Sequence, residues 1–134
     1  MAEVLEARVA EELKLVTRLY GASEISADQS WLLIHEWVLP AGWNRASTPL
    51  VVRLLPAYPS APPDNFYAAA DLRTASGSTP ANTSQPGDVS LPPGAWLCFS
   101  WHHETNWRAS TVIANGDNLA TFLSSVAQRL GEVS

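Results

Sequence analysis

Tyr58-Pro59-Ser60-Ala61-Pro62-Pro63-Asp64-Asn65-Phe66-Tyr67 is the stretch that decides how this chain is built. Pro59, Pro62 and Pro63 each lock φ at about −65° and remove a backbone donor. A chain so constrained leaves one strand, turns a rigid corner and rejoins the sheet only as a short edge strand near residues 65–67. Taken alone, such a corner is an ordinary surface turn, because proline-rich turns are common. Its neighbours give it meaning.

Upstream, residues 48–55 read as a strand, with Leu50, Val52 and Leu54 on one face and Val51 and Leu55, beside Arg53, on the other. Residues 30–39 are a second strand, aromatic and branched, stopped by Pro40. Ala41-Gly42-Trp43-Asn44 turns the chain between them, and a weaker strand begins near residues 23–27. Before these, Leu5, Val9, Leu13, Val16 and Tyr20 recur at helical steps, which predicts a helix over residues 3–20 ended by Gly21. Downstream, residues 73–94 are rich in Thr, Ser, Gly, Pro and Asn and predict a long loop with no element of its own. Loops beyond about 15 residues in a compact domain are usually functional or disordered. This one leads into the Trp- and His-rich residues 96–107. A last helix is expected over residues 117–130, capped by Asp117, with Leu119, Phe122, Leu123, Val126 and Leu130 in one stripe and Gly131 at its end. The expected architecture is α+β in one domain spanning residues 1–134: N-terminal helix, four-stranded antiparallel meander, long loop, C-terminal helix.

Composition narrows the function classes. Of 134 residues, 46% are hydrophobic and 16% charged, which supports a core and argues against disorder. A net charge of −5 with eight scattered Lys and Arg leaves no basic stripe for nucleic acid. The single cysteine, Cys98, excludes an internal disulfide and multi-cysteine zinc patterns. The opening Met-Ala-Glu-Val-Leu-Glu-Ala-Arg is acidic and lacks an apolar signal core. No run approaches the roughly 20 apolar residues of a membrane span. A cytoplasmic, reduced protein with neither nucleic acid nor membrane as partner is expected.

Several motifs together carry a family likeness. The corner at residues 58–63 resembles the Tyr-Pro-x-x-Pro-Pro turn of ubiquitin-conjugating enzymes, which follows a meander and precedes a short strand. Gly94-Ala95-Trp96-Leu97-Cys98 is similar to the Gly-x-Ile-Cys entry to that family's active-site cysteine, and Trp107 lies where the family has a later Trp. The likeness is closer to bacterial members. These share Tyr-Pro-x-Ala-Pro-Pro-Asp before an aromatic, Ser-x-His as at Ser100-Trp101-His102, and Asp-x-Leu opening the last helix as at Asp117-Asn118-Leu119. The resemblance covers residues 30–130, and the first helix fits as well. The family's His-Pro-Asn ahead of the cysteine is absent, and the loop before Cys98 is longer. What the resemblance implies is a carrier that receives a ubiquitin-like protein from an adenylating activating enzyme and hands it to an amine on a target protein. It implies no cofactor on this chain, since the activating partner spends the ATP.

The residues themselves leave the chemistry open. Cys98 is the thioester candidate, because a thiolate is a strong nucleophile when it is accessible. Trp96, Leu97 and Phe99 around it equally suit a buried core cysteine. Ser100 is the rival nucleophile, and an acyl group on it would be an oxyester. In a strand, Cys98, Ser100 and His102 alternate onto one face and line one pocket. His102 is the catalytic candidate for proton transfer near neutrality. His103, Asn106 and Asn82 are further candidates to steady an oxyanion, as an Asn does in the wider family. His102-His103-Glu104 with Cys98 fits no closed zinc pattern. His35 reads as a satisfied core or edge histidine. Trp43, Trp101 and Trp107 are candidates for a docking surface, and the 73–94 loop for a gate over the site. Two rival readings stand beside the carrier: a non-catalytic binding module of the same fold, and an unrelated α+β domain with a chance proline turn.

Overall fold

The computed structural model describes residues 2–102 and 106–134, with side chains from residue 6 onward. Helix α1 (Ala2–Tyr20) buries Val9 and Val16 and half-buries Leu13 and Tyr20, the stripe expected from their spacing. Gly21 ends it at φ +94°, with its N–H returned to the Thr17 carbonyl. That left-handed conformation costs glycine little. Strands β1 (Ser23–Ile25), β2 (Trp31–Val38) and β3 (Ser47–Arg53) follow as an antiparallel meander. Past the proline corner, where Tyr58–Pro59 is cis, β4 (Phe66–Ala69) completes the four expected strands.

Two further strands extend the sheet. β5 (Thr83–Ser84) and β6 (Trp96–Phe99) give the order β1-β2-β3-β4-β6-β5. β5 corrects the expectation of an element-free loop over residues 73–94. Its short polar sequence has no hydrophobic period to announce it; pairing of Thr83 with Phe99 and Ser84 with Cys98 creates it. Nor does the corner strand stay at an edge, because β6 pairs along the whole of β4, from Phe66↔Phe99 to Ala69↔Trp96.

Both helices cover one face of the sheet. Leu32, Ile34, Leu50, Val52, Phe66, Ala68, Leu97 and Phe99 point into this core, and Phe66 stacks on Phe99 at 4.8 Å between ring centroids. Burying each such phenylalanine contributes about 1.5–3 kcal/mol. A bulge in β2 between Ile34 and Trp37 puts both residues inside although they lie three apart, and Trp37 then stacks on Tyr20 at 4.9 Å. The opposite face carries a smaller cluster, Val51, Tyr67 and Cys98, with Trp31, Leu33, Val89, Leu91 and Trp96 packed around it.

Helix α2 (Leu119–Gly131) follows a 3₁₀ turn (Ile113–Asn115). Its cap is Asn118, not the expected Asp117. Asn118 and Thr121 form a capping box, in which the Asn118 side chain accepts from the Thr121 N–H. Asp117 instead accepts from the Arg108 N–H at 2.7 Å and the Thr121 hydroxyl at 3.1 Å. Gly131 is the last helical residue and ends α2, as expected.

Glu12 ties the parts together. It is fully buried, and its carboxylate accepts from the Tyr58 hydroxyl at 2.5 Å, the Leu119 N–H at 2.8 Å and Arg8 Nε at 3.2 Å. Arg8 also reaches the Ser110 and Asp117 carbonyls. One carboxylate on α1 thereby fixes the proline corner and the start of α2, and satisfies a helix N–H that has no partner within its own helix. The buried Tyr58 hydroxyl is held firmly in its protonated form, first by desolvation and then by the Glu12 charge.

Candidate active site at the end of β6

The proline corner delivers two polar residues to the segment after β6. Asn65 sits at φ +64°, a conformation Asn tolerates better than most residues. Its N–H donates to the Trp101 carbonyl at 2.7 Å, and its side-chain oxygen accepts the Trp101 N–H at 3.0 Å. Beside it, Asp64 pairs through its carboxylate with His102 Nδ1. On the other side, the Ser100 N–H donates to the Asn82 carbonyl at 2.9 Å. Trp101 is anchored to α2 through its indole N–H on the Ser125 hydroxyl at 3.0 Å. Ser100, Trp101 and His102 are therefore each held by a named partner, while the Ser100 and His102 side chains face solvent.

Cys98 lies elsewhere. It is 8% exposed, on the face away from the helices, directly across from Tyr67. The expectation of one accessible face shared by Cys98, Ser100 and His102 is thereby corrected. Strand β6 ends at Phe99, so strand alternation does not run on to His102. The thiol is covered because Val89 and Leu91 fold onto the apolar surface of Val51 and Tyr67, and the segment is fastened by the Trp96 indole N–H on the Pro92 carbonyl at 2.9 Å. Burial, then the neighbouring Cys98, pushes the Tyr67 phenol up, and Arg53 opposes this. Arg53 Nε is buried with no hydrogen-bond partner among the described residues.

The remaining candidates separate clearly. Asn82 and Asn106 are exposed. His103 and Glu104, and with them the metal reading, lie outside the described residues. His35 is exposed on β2, an interior strand between β1 and β3, with Nε2 3.9 Å from Glu24, so its side chain is neither in the core nor at a sheet edge. Trp43 is 6% exposed and donates its indole N–H to the Leu130 carbonyl at 2.8 Å, so it is core and not docking surface. Trp107 is half-buried, donating to the Pro59 carbonyl at 2.7 Å with its ring tilted against Tyr58. These tryptophans staple the corner and the helices.

Asp64 and Asn65 are the site residues that the sequence reading passed over. Two polar side chains straight after Pro62-Pro63 were the available signal, since a corner that rigid aims whatever follows it. Their contact with residues 100–102 is long-range and has no local signature.

Ser100 and His102 stand two residues apart, a span of at most about 7 Å. The described residues hold no helix long and apolar enough to cross a membrane. No curated protein and no solved structure matches the chain. The sequence model of Prokaryotic E2 family E matches residues 12–133. The second half of α1, the meander, the proline corner, β6 and α2 all fall within that match, and the chain belongs to this prokaryotic family of ubiquitin-conjugating-enzyme-like proteins.

Proposed function

We propose that this chain holds a ubiquitin-like protein by its C-terminal carboxyl as an oxyester on Ser100 and passes it to an amine of a target protein. The observation that carries the proposal is the exposed Ser100 hydroxyl, backbone-pinned two residues from an imidazole that Asp64 holds, while the lone thiol is covered. Membership of an E2-like family supports the general role of receiving an activated carrier from an adenylating enzyme.

In the loading step, Ser100 Oγ attacks the activated carboxyl carbon. The bond to the activating enzyme's leaving group breaks, and the hydroxyl proton passes to His102 and from it to the leaving group. In the transfer step, the target amine attacks the ester carbon and gives a proton to neutral His102, the bond to Ser100 Oγ breaks, and that oxygen takes the proton from His102 as an amide forms. Both steps pass through an oxyanion, for which the exposed Asn82 and Asn106 are the proposed donors. The chain itself needs no cofactor for this sequence.

A second reading places a thioester on Cys98. The intrinsic nucleophilicity of a thiolate favours it, and so does the thin cover, which Trp96 holds at Pro92 and Ser30 at Ser90. A third reading, a non-catalytic binding module for the ubiquitin-like protein or its activating enzyme, is favoured by the burial of Cys98. One experiment separates all three. The chain is incubated with its cognate activating enzyme, ubiquitin-like protein and ATP, and run on a non-reducing gel. The proposal expects an adduct that survives thiols, is cleaved by hydroxylamine and is lost in Ser100→Ala. A thiol-sensitive adduct lost in Cys98→Ala moves the ester to the cysteine. No adduct beside a demonstrably active enzyme leaves the binding module.

A further inference from the structure

We infer that Asp64 is a positioning residue for His102, fixing which imidazole nitrogen carries the proton. The inference rests on the role for His102 proposed above. An imidazole works as a base toward Ser100 only if its free nitrogen is the one left unoccupied. Neutral imidazole has two tautomers, and the hydrogen bond at one nitrogen sets the state of the other. The Asp64 carboxylate meets His102 at Nδ1. A carboxylate only accepts, so Nδ1 must be the protonated nitrogen and Nε2 the free base. The imidazolium that forms when Ser100 loses its proton is then stabilised by the adjacent negative charge.

The fold makes this pairing dependable although both side chains are exposed. Asp64 follows Pro62-Pro63 directly, and Asn65 clamps Trp101 through both its N–H and its side chain. The backbones on each side of the Asp64–His102 contact are thus held by hydrogen bonds that do not involve either of the two side chains. The same corner is secured from behind by Tyr58 on Glu12 and Trp107 on Pro59. The proline corner therefore has a chemical task, presenting a carboxylate to the imidazole, as well as its task of closing the sheet.

Two measurements test this, and they fail separately. Nitrogen-15 shifts of His102 report the tautomer without any reaction. The native chain should show Nδ1 protonated, and Asp64→Ala should move His102 toward the Nε2-protonated form that unconstrained imidazoles favour. A native Nε2–H tautomer, or no change in Asp64→Ala, would overturn the inference whatever Ser100 does. The second measurement uses p-nitrophenyl acetate as acyl donor and reads acetylation of Ser100 by mass against pH. Asp64→Ala should slow it about 10- to 100-fold, part of what a positioned base supplies. The double variant with His102→Ala should be no slower than His102→Ala alone. Additive losses would show that Asp64 acts otherwise than through His102. Absence of Ser100 acetylation in the native chain would count against the nucleophile and leave the tautomer result to decide the role of Asp64.

Discussion

Replacing Glu12 by Leu should cost this fold about 3–5 kcal/mol, although Glu12 touches neither Ser100 nor His102. Leucine keeps most of the volume but removes the acceptor for the Tyr58 hydroxyl and the Leu119 N–H, both shut away from water. Each orphaned buried donor costs roughly 1–3 kcal/mol. Arg8 loses its charged partner as well, and keeps only the Ser110 and Asp117 carbonyls. The unfolding entropy near 60 °C is about 2.1 cal/mol/K per residue, so 134 residues give about 0.28 kcal/mol/K. The expected fall in Tm is therefore about 10–18 °C, read by calorimetry or by circular dichroism with urea titration beside it. Glu11→Gln is the control. Glu11 pairs with Lys14 at 3.0 Å in the open, with side chains 60% and 74% exposed, and such pairs are worth about 0.2–1 kcal/mol at most. If Glu12→Leu moved Tm no more than Glu11→Gln, the claim that this carboxylate joins α1, the corner and α2 would be refuted.

Four further outcomes follow from the same structure. Gly116→Ala should destabilise strongly, because an added Cβ would stand 2.5 Å from the Arg108 carbonyl, a backbone atom that cannot step aside; comparing urea midpoints checks it. Stability should fall as pH rises past a tyrosine's ordinary 10.0, since the unfolded Tyr58 releases its proton there while the folded one retains it; the linked stability is fully present below that pH, and Tyr58→Phe should flatten the decline in urea titrations. Cys98 should react slowly with a thiol reagent in the folded chain and at once in urea, while a Leu91→Ala variant, with a thinner cover, should react faster when folded. Lys14 is the only lysine in this sequence, so any isopeptide self-adduct on a side chain should map there, and Lys14→Arg should abolish it without altering ester formation.

Much of the architecture was legible because its signals are local. The α1 stripe, the alternation of Leu50, Val52 and Leu54, and the φ restriction of Pro59, Pro62 and Pro63 each act within a few residues. The cap of α2 was misplaced by one position because Asp117 and Asn118 are both good caps, and the Arg108 N–H claims Asp117 for a contact nine residues back. Strand β5 was missed because its order comes from β6 and not from its own side chains. The site was legible in part. Ser100 and His102 stand out as a pair, yet their relation to Cys98 depended on how far β6 runs, and a strand's end is set by what its neighbours offer. Glu12, Asp64 and Asn65 escaped notice because their importance comes from partners distant in the chain: Tyr58 and Leu119 for the first, His102 and Trp101 for the others.

Site-localising mass spectrometry of the loaded chain tests the central claim most directly. With the activating enzyme, ubiquitin-like protein and ATP present, the remnant of the carrier's C-terminus should be found on Ser100, at neutral pH and after thiol treatment. A remnant on Cys98, or an unmodified chain while the activating enzyme is visibly charged, would contradict it.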